Sequence, residues 1–147
     1  MQKSVKKHIT LYSDGSSLGN PGPGGYGGIL EYKGKQKKYS GGEKYTTNNR
    51  MELLGVIEGL KLLKESCSVE VISDSSYVVK AINEWLDGWI KKDFKKVKNI
   101  DLWKEYIEAS STHNIKATWV RGHSGHIQNE ECDDMARDEA NRQKLLI

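Results

Sequence analysis

The sequence predicts an α/β fold, a mixed sheet flanked by helices in the order β-β-β-α-β-α-α-β-α. Three observations carry that expectation. Ile9 and Leu11, and again Val69 and Val71, alternate with polar residues at the period of a half-buried strand. Leu53, Val56, Ile57, Leu60 and Leu63 recur at helical spacing. The first three strands follow one another, whereas the later ones are separated by helices, a pattern that calls for a mixed sheet with helices packed against it.

The elements follow in order. His8 to Asp14 reads as the first strand, with Asp14 at its end. From Asp14-Gly15 to Gly28 the chain is rich in Gly, Asn and Pro and reads as a loop. Tyr26 to Tyr32 and Lys35 to Gly42 read as a hairpin broken near Gly34. The helix that follows has Thr46 or Thr47 as its N-cap and carries Glu52 in its first turn. Gly55 and Gly59 inside it cost ~1 kcal/mol each and point to close packing against the sheet. Val69 to Ser73 is a strand ending at Asp74. Ser75 or Ser76 caps a helix with Val78, Val79 and Ile82. A lysine-rich stretch follows, then a helix from about Asp101, a strand from Ile115 to Arg121, and a last helix from about Asn129 with Cys132, Met135, Ala136 and Ala140 on its apolar face.

At 147 residues the chain is expected to be one domain, 1–147, with its core from about His8 to Arg142. No stretch approaches the ~20 apolar residues of a membrane span. The basic N-terminus lacks the apolar run of a signal peptide. The expected setting is therefore cytoplasmic, with no membrane partner. Cys67 and Cys132 are the only cysteines, too few for a disulfide framework. The formal charge of +3 is small. Its distribution is more informative, because Lys91, Lys92, Lys95, Lys96 and Lys98 are interleaved with Trp89 and Phe94, close after Trp85. Such a stretch is either a solvated face or a phosphate-contacting arm whose aromatics stack on sugars or bases.

Two motifs mislead. Gly22-Pro23-Gly24-Gly25-Tyr26-Gly27 matches the dinucleotide pattern G-x-G-x-x-G, but it opens a strand instead of a helix, so turn geometry is the better account of its glycines. His123, His126 and Cys132 resemble zinc ligands, but a fourth is missing and Cys132 lies on an apolar helix face.

The acids are the informative set: Asp14 and Asp74 at strand ends, Glu52 beside an apolar helix face, and Asp133 next to Cys132. Each alone reads as a turn residue, a helix-terminus charge or a surface acid. Together they fall where sites form in α/β sheets. Carboxylates meeting there repel unless a divalent cation neutralises them, and oxygen-only ligands select Mg²⁺ or Mn²⁺. Two such ions suit phosphodiester hydrolysis.

At this point a family resemblance enters. Asp14-Gly15-Ser16, the run from Gly19 to Gly27, Thr46-Thr47-Asn48-Asn49-Arg50-Met51-Glu52-Leu53, Asp74-Ser75, and Gly122-His123-Ser124-Gly125-His126 followed by Asn129-Glu130 and Cys132-Asp133 resemble type 1 ribonuclease H. The resemblance implies a ribonuclease H-like fold with a five-stranded mixed sheet. It implies hydrolysis of the RNA strand of an RNA–DNA hybrid, leaving 5′-phosphate and 3′-hydroxyl ends. Asp14, Glu52, Asp74 and Asp133 match the four metal-binding carboxylates, for two Mg²⁺ ions with Mn²⁺ as an alternative. His123 matches a catalytic histidine on a mobile loop. Asn20, Asn48 and Asn49 match residues that bind the hybrid near the scissile bond. Thr47 matches part of a pocket for a DNA phosphate, Trp85 an aromatic lining the DNA channel, and the lysine stretch a basic protrusion.

The sequence also departs from the pattern. The protrusion is short, Ser76 replaces a longer amide, and Tyr45 stands where an arginine can support the phosphate pocket, which would then be weaker or borrow Lys44. No obligatory protein partner is implied, and a monomer is the default. Two rival readings are another nuclease of the same fold acting on DNA, and a noncatalytic hybrid-binding module.

Overall fold

The computed structural model describes residues 6–122 and 126–147. Five strands form one sheet in the order β3-β2-β1-β4-β5: β1 Lys7–Ser17, β2 Gly22–Tyr32, β3 Lys35–Thr46, β4 Cys67–Ser73 and β5 Asn114–Trp119. The β1–β2 and β2–β3 pairs are antiparallel, and β4 lies parallel to both β1 and β5. The helices are α1 Asn48–Lys61, α2 Ser76–Lys80, α3 Leu86–Lys91, α4 Ile100–Ser110 and α5 Ile127–Leu145, with a π-helical turn at Ala81–Trp85 joining α2 to α3. The mixed sheet and its flanking helices agree with the sequence expectation.

Apolar periodicity builds the core. Leu11 on β1 and Val69 and Val71 on β4 are buried with Leu53, Val56, Ile57 and Leu60 of α1 and with Trp103 of α4. Thr47 caps α1, its hydroxyl accepting from the Arg50 N–H, and Ser75 caps α2 by accepting from Val78. As expected, Gly59 admits a close contact, whereas a methyl on Gly55 would meet only ordinary contacts at 3.4 Å or more. A methyl on Gly59 would lie 2.3 Å from the Tyr39 hydroxyl oxygen.

Several boundaries differ from the sequence reading, and three of the differences bear on the site. Asp14 is not the end of β1, which continues to Ser17, and the glycine-rich segment expected as loop is strand from Gly22 onward. Low β-propensity is overridden here by packing, because α5 lies directly on these glycines. A methyl on Gly25 or Gly27 would fall 2.6 Å from Ala136 O or from the Met135 Cβ. On the helix side, the buried Cys132, Ala136 and Ala140 keep that approach close. Glu52 lies one residue beyond the first turn of α1, so it is placed for the sheet end and not for the helix N-terminus. The hairpin turn does fall at Gly34, where Lys33 and Gly34 both take positive φ (50° and 80°), the backbone a two-residue hairpin turn requires.

Candidate active site

Asp14, Glu52 and Asp74 converge: one oxygen from each carboxylate lies within 4.8 Å of the others. Three elements bring them there. Asp14 lies on the central strand, paired with Gly27 across β2. Asp74 directly follows β4, the parallel neighbour of β1. Glu52 arrives on α1, which can come so near only because Gly15 has no side chain, since a methyl there would lie 2.3 Å from the Glu52 nitrogen. The Gly15 N–H donates to Asp14 Oδ1 at 2.9 Å.

Burial and mutual repulsion set the electrostatics. Asp14 is 8% exposed. Burial raises its carboxyl above the ordinary range, the charges of Asp74 and Asp133 raise it further, and hydrogen bonds from Glu52 and Gly15 oppose the rise. Glu52 is raised more strongly, first by burial and then by Asp14 and Asp74. Because each carboxyl raises or opposes the other's ionisation, the protonation of one depends on that of the other. Glu52 Oε2 is shielded from solvent and has no hydrogen-bond partner among the described residues.

Asp133 does not join this triad. It faces the same narrow cleft of about 20 Å³, lined by Asp14, Asp74, Gly122, His126, Asn129, Glu130 and Asp133. It is paired with Arg137 at 3.2 Å, one turn along α5. The sequence did not point to His126, Asn129 or Glu130 as site residues. Among the described residues, Asn129 Oδ1 is buried without a partner, and His126 occupies the N-cap position of α5 yet makes no capping bond. The run Gly122 to His126 was the signal available for them. His123 lies outside the described residues.

A second, polar pocket of about 330 Å³ is lined by Asn20, Thr47, Asn48, Asn49, Lys98 and Asn99. It gathers four of the expected substrate residues together with Lys98 and adds Asn99, which sequence reasoning missed. Its signal was an Asn just ahead of a helix, where Asn99 takes a left-handed φ of 60°. Tyr45 is 76% exposed and does not line the pocket. Nor does Lys44, and the cation among the lining residues is Lys98. The asparagines are oriented by the backbone. Asn20 Oδ1 accepts from the Asn48 N–H at 3.0 Å, and Asn48 Oδ1 accepts from the Ser17 N–H at 2.7 Å. Each therefore has its oxygen engaged within the protein and, being exposed, keeps its NH₂ as the donor it can offer a ligand.

The aromatics of the lysine segment are mostly structural. Phe94 is buried, and Trp89 packs edge-on against Trp103. Trp85 alone of the three is exposed, at 39%. Lys91, Lys92, Lys95, Lys96 and Lys98 lie at the surface of this segment.

These features place the chain among known proteins. The RNase H family model matches residues 6–141. The chain belongs to the RNase H family. Ribonuclease H of Sulfurovum sp. (strain NBC37-1) is 75% identical to it over 147 residues, covering 100% of both chains. Ribonuclease HI of Helicobacter pylori (strain ATCC 700392 / 26695) is 57% identical over 136 residues, covering 92% of this chain and 95% of its own. Among solved structures, LC9-RNase H1, described as a type 1 RNase H with the type 2 active-site motif, matches with a TM-score of 0.87 at 32% identity. That match covers 97% of this chain and 76% of the other. The chain is thus a ribonuclease H with the family's five-stranded sheet. Among the described residues, no helix is long and apolar enough to cross a membrane.

Proposed function

We propose that this ribonuclease H cuts the RNA strand of RNA–DNA hybrids with two Mg²⁺ ions, leaving 5′-phosphate and 3′-hydroxyl ends. The observation that carries the reading is the convergence of Asp14, Glu52 and Asp74 around a buried Glu52 oxygen that has no partner. The donor set fits a hard divalent cation: it is all carboxylate oxygen, it is partly desolvated, and its repulsion is relieved by positive charge. Mn²⁺, with the same ligand preference, is expected to substitute. When bound, the two ions would supply an activated water and stabilise the leaving oxygen.

The protein's own groups do the rest. Asp14, Glu52 and Asp74 hold the cation site, with Asp133 facing it across the cleft after leaving Arg137. Asn20 and Asn48, whose oxygens are engaged within the protein, can offer N–H donors suited to the ribose hydroxyl oxygens that mark the RNA strand. Thr47, with Lys98 and Asn99, suits a phosphate of the DNA strand, and Asn49 joins Asn20 and Asn48 in binding the hybrid near the scissile bond. Trp85 offers an exposed face for packing along that strand, and Lys91, Lys92, Lys95 and Lys96 supply charge that is blind to sequence. His123 moves a proton or helps the product leave. A single domain acting as a cytoplasmic monomer completes the reading.

The test is cleavage of an end-labelled hybrid with Mg²⁺, with and without EDTA, beside an all-DNA duplex of the same sequence. Only the RNA strand of the hybrid is expected to be cut, only with metal, and a 2′-deoxy substitution beside the scissile bond is expected to suppress cutting there. Equal cleavage of the DNA duplex would favour the rival nuclease reading. Binding without cleavage would favour the noncatalytic module.

A further inference from the structure

Trp119 is the last residue of β5, paired in register with Ser73, which precedes Asp74. It is 52% exposed. Exposing an indole this much leaves apolar area in water, so packing does not explain its position. Its hydrogen bond does: Trp119 Nε1–H donates to the main-chain carbonyl of Asp74 at 3.0 Å. Neighbouring bonds complete a clamp. The Val120 N–H donates to Ser73 O at 3.0 Å, and the Ser75 N–H donates to Ser73 Oγ at 3.0 Å. The Ser75 hydroxyl in turn accepts from Val78 at the start of α2. The chain leaves the sheet at Asp74, and the indole grips its carbonyl from the neighbouring strand.

Asp74 sits in a crowded cluster at this point. Its carboxylate is held beside those of Asp14 and Glu52, and like charges at that separation push one another apart. Gly122 closes the other side, where even a methyl would lie 2.9 Å from Asp74 Oδ2. A strand-end residue between these constraints needs a fixed main chain if its carboxylate is to stay in the cluster. We infer that Trp119 is a positioning residue for the cation site, holding the Asp74 main chain through its indole N–H so that the Asp74 carboxylate stays preorganised for a divalent ion. This rests on the reading of Asp74 as a metal ligand. The role is specific to the N–H, because much of the ring is left in solvent.

Trp119→Phe keeps an aromatic ring and removes the donor. The measurement is Mn²⁺ affinity by isothermal titration calorimetry on the full chain without nucleic acid, alongside amide hydrogen exchange at Ser75 and the thermal midpoint. The expected result is Mn²⁺ binding at least threefold weaker and faster exchange at Ser75, with a thermal midpoint close to that of the parent. A general packing defect would lower the midpoint without singling out metal affinity. If the phenylalanine protein melts many degrees lower, Trp119→Leu repeats the test with a different apolar side chain and again no donor. Mn²⁺ affinity within twofold of the parent in the folded variant would overturn the inference. Asp74→Asn, measured in parallel, separates the two levels. If it also leaves Mn²⁺ affinity unchanged, Asp74 is not a ligand and the underlying reading fails. If it weakens binding while Trp119→Phe does not, only the role of Trp119 fails.

Discussion

Asp14, Glu52 and Asp74 come from three different elements and meet within 4.8 Å, whereas Lys91, Lys92, Lys95, Lys96 and Lys98 follow one another along one surface segment. The acids are held by a strand ladder, a helix that closes onto Gly15, and a clamped strand end. The lysines sit on a stretch in which Asp93, Phe94 and Lys96 all take positive φ, anchored by the buried Phe94 ring. One region fixes geometry against repulsion. The other presents charge with little constraint on where each ammonium lies. Rate should therefore be sensitive to single atoms in the first region, and affinity to the sum of charges in the second.

The largest effect is expected at Asp74. Asp74→Asn keeps the shape of the side chain and removes one ligand charge. Cleavage is expected to fall by about 10³-fold or more, in the range lost when a key electrostatic group is removed, with hybrid binding largely intact. Single-turnover assays beside a binding titration check this. Near-normal Mg²⁺-dependent turnover would break the contrast, since the rigid cluster would then not govern rate. His123→Ala should come next, lowering kcat by roughly 10²-fold with KM nearly unchanged, the scale of general acid–base assistance. His126→Ala should lower kcat much less. The structure sharpens that comparison, because His126 lines the cleft and makes no capping bond. A more damaging His126→Ala would move the catalytic role to His126.

The two regions also differed in how far the sequence disclosed them. The strand and helix periods reported the core, and the order of elements implied the mixed sheet. Asp14, Glu52 and Asp74 were legible as a set of acids near strand and helix ends, although β1 runs on past Asp14 and Glu52 lies beyond the first turn of α1. What stayed hidden depends on pairing across the chain. The glycines from Gly22 to Gly28 look like loop because their strand is justified by α5, more than a hundred residues away. The engagement of the Asn20 and Asn48 oxygens depends on backbone donors at Asn48 and Ser17. Nor does composition reveal that Asn99 is drawn beside Thr47, since Arg50 bonds both Asn99 and Asp101 and ties α1 to the start of α4. In the lysine segment, interleaved aromatics suggested a stacking surface, yet Phe94 and Trp89 turn inward.

Replacing Lys91, Lys92 and Lys95 together should raise KM with little change in kcat at saturation, the behaviour of uniform binding. Removing each ammonium that neutralises a phosphate is expected to flatten the slope of log affinity against log salt by about 0.9. Lys98 tests the boundary between the regions, because it lines the polar pocket with Thr47 and Asn48. Lys98→Ala should weaken binding more than any single change among the other lysines. Affinity measured at several salt concentrations reads both effects. An unchanged slope after the triple replacement would mean that the segment does not touch nucleic acid.

The smallest effect concerns stability and has the opposite sign from activity. Burial first, and then the charges of Asp74 and Asp133, push the Asp14 carboxyl up to about 6. A carboxyl raised on folding favours the folded state when protonated. Its destabilising contribution is therefore fully present above about pH 6 and is relieved as pH falls toward the ordinary carboxylate range. Asp14→Asn removes that charge and keeps an oxygen to accept from the Gly15 N–H. In EDTA at pH 8 the variant should therefore melt higher than the parent, by on the order of 1 kcal/mol or about 2–4 °C for a chain of this size, although its activity is lost. At pH 5 the gap should narrow, because the parent is then largely protonated at this site. Adding Mg²⁺ at pH 8 should raise the melting temperature of the parent more than that of the variant, since binding to the folded state alone is stabilising. Melting curves at the two pH values, with EDTA or Mg²⁺, decide the matter. A variant that melts lower than the parent at pH 8 in EDTA would mean that the cluster is not strained by its own charge, and the contrast between a repulsive, fixed acid site and a relaxed basic segment would fail on its electrostatic side.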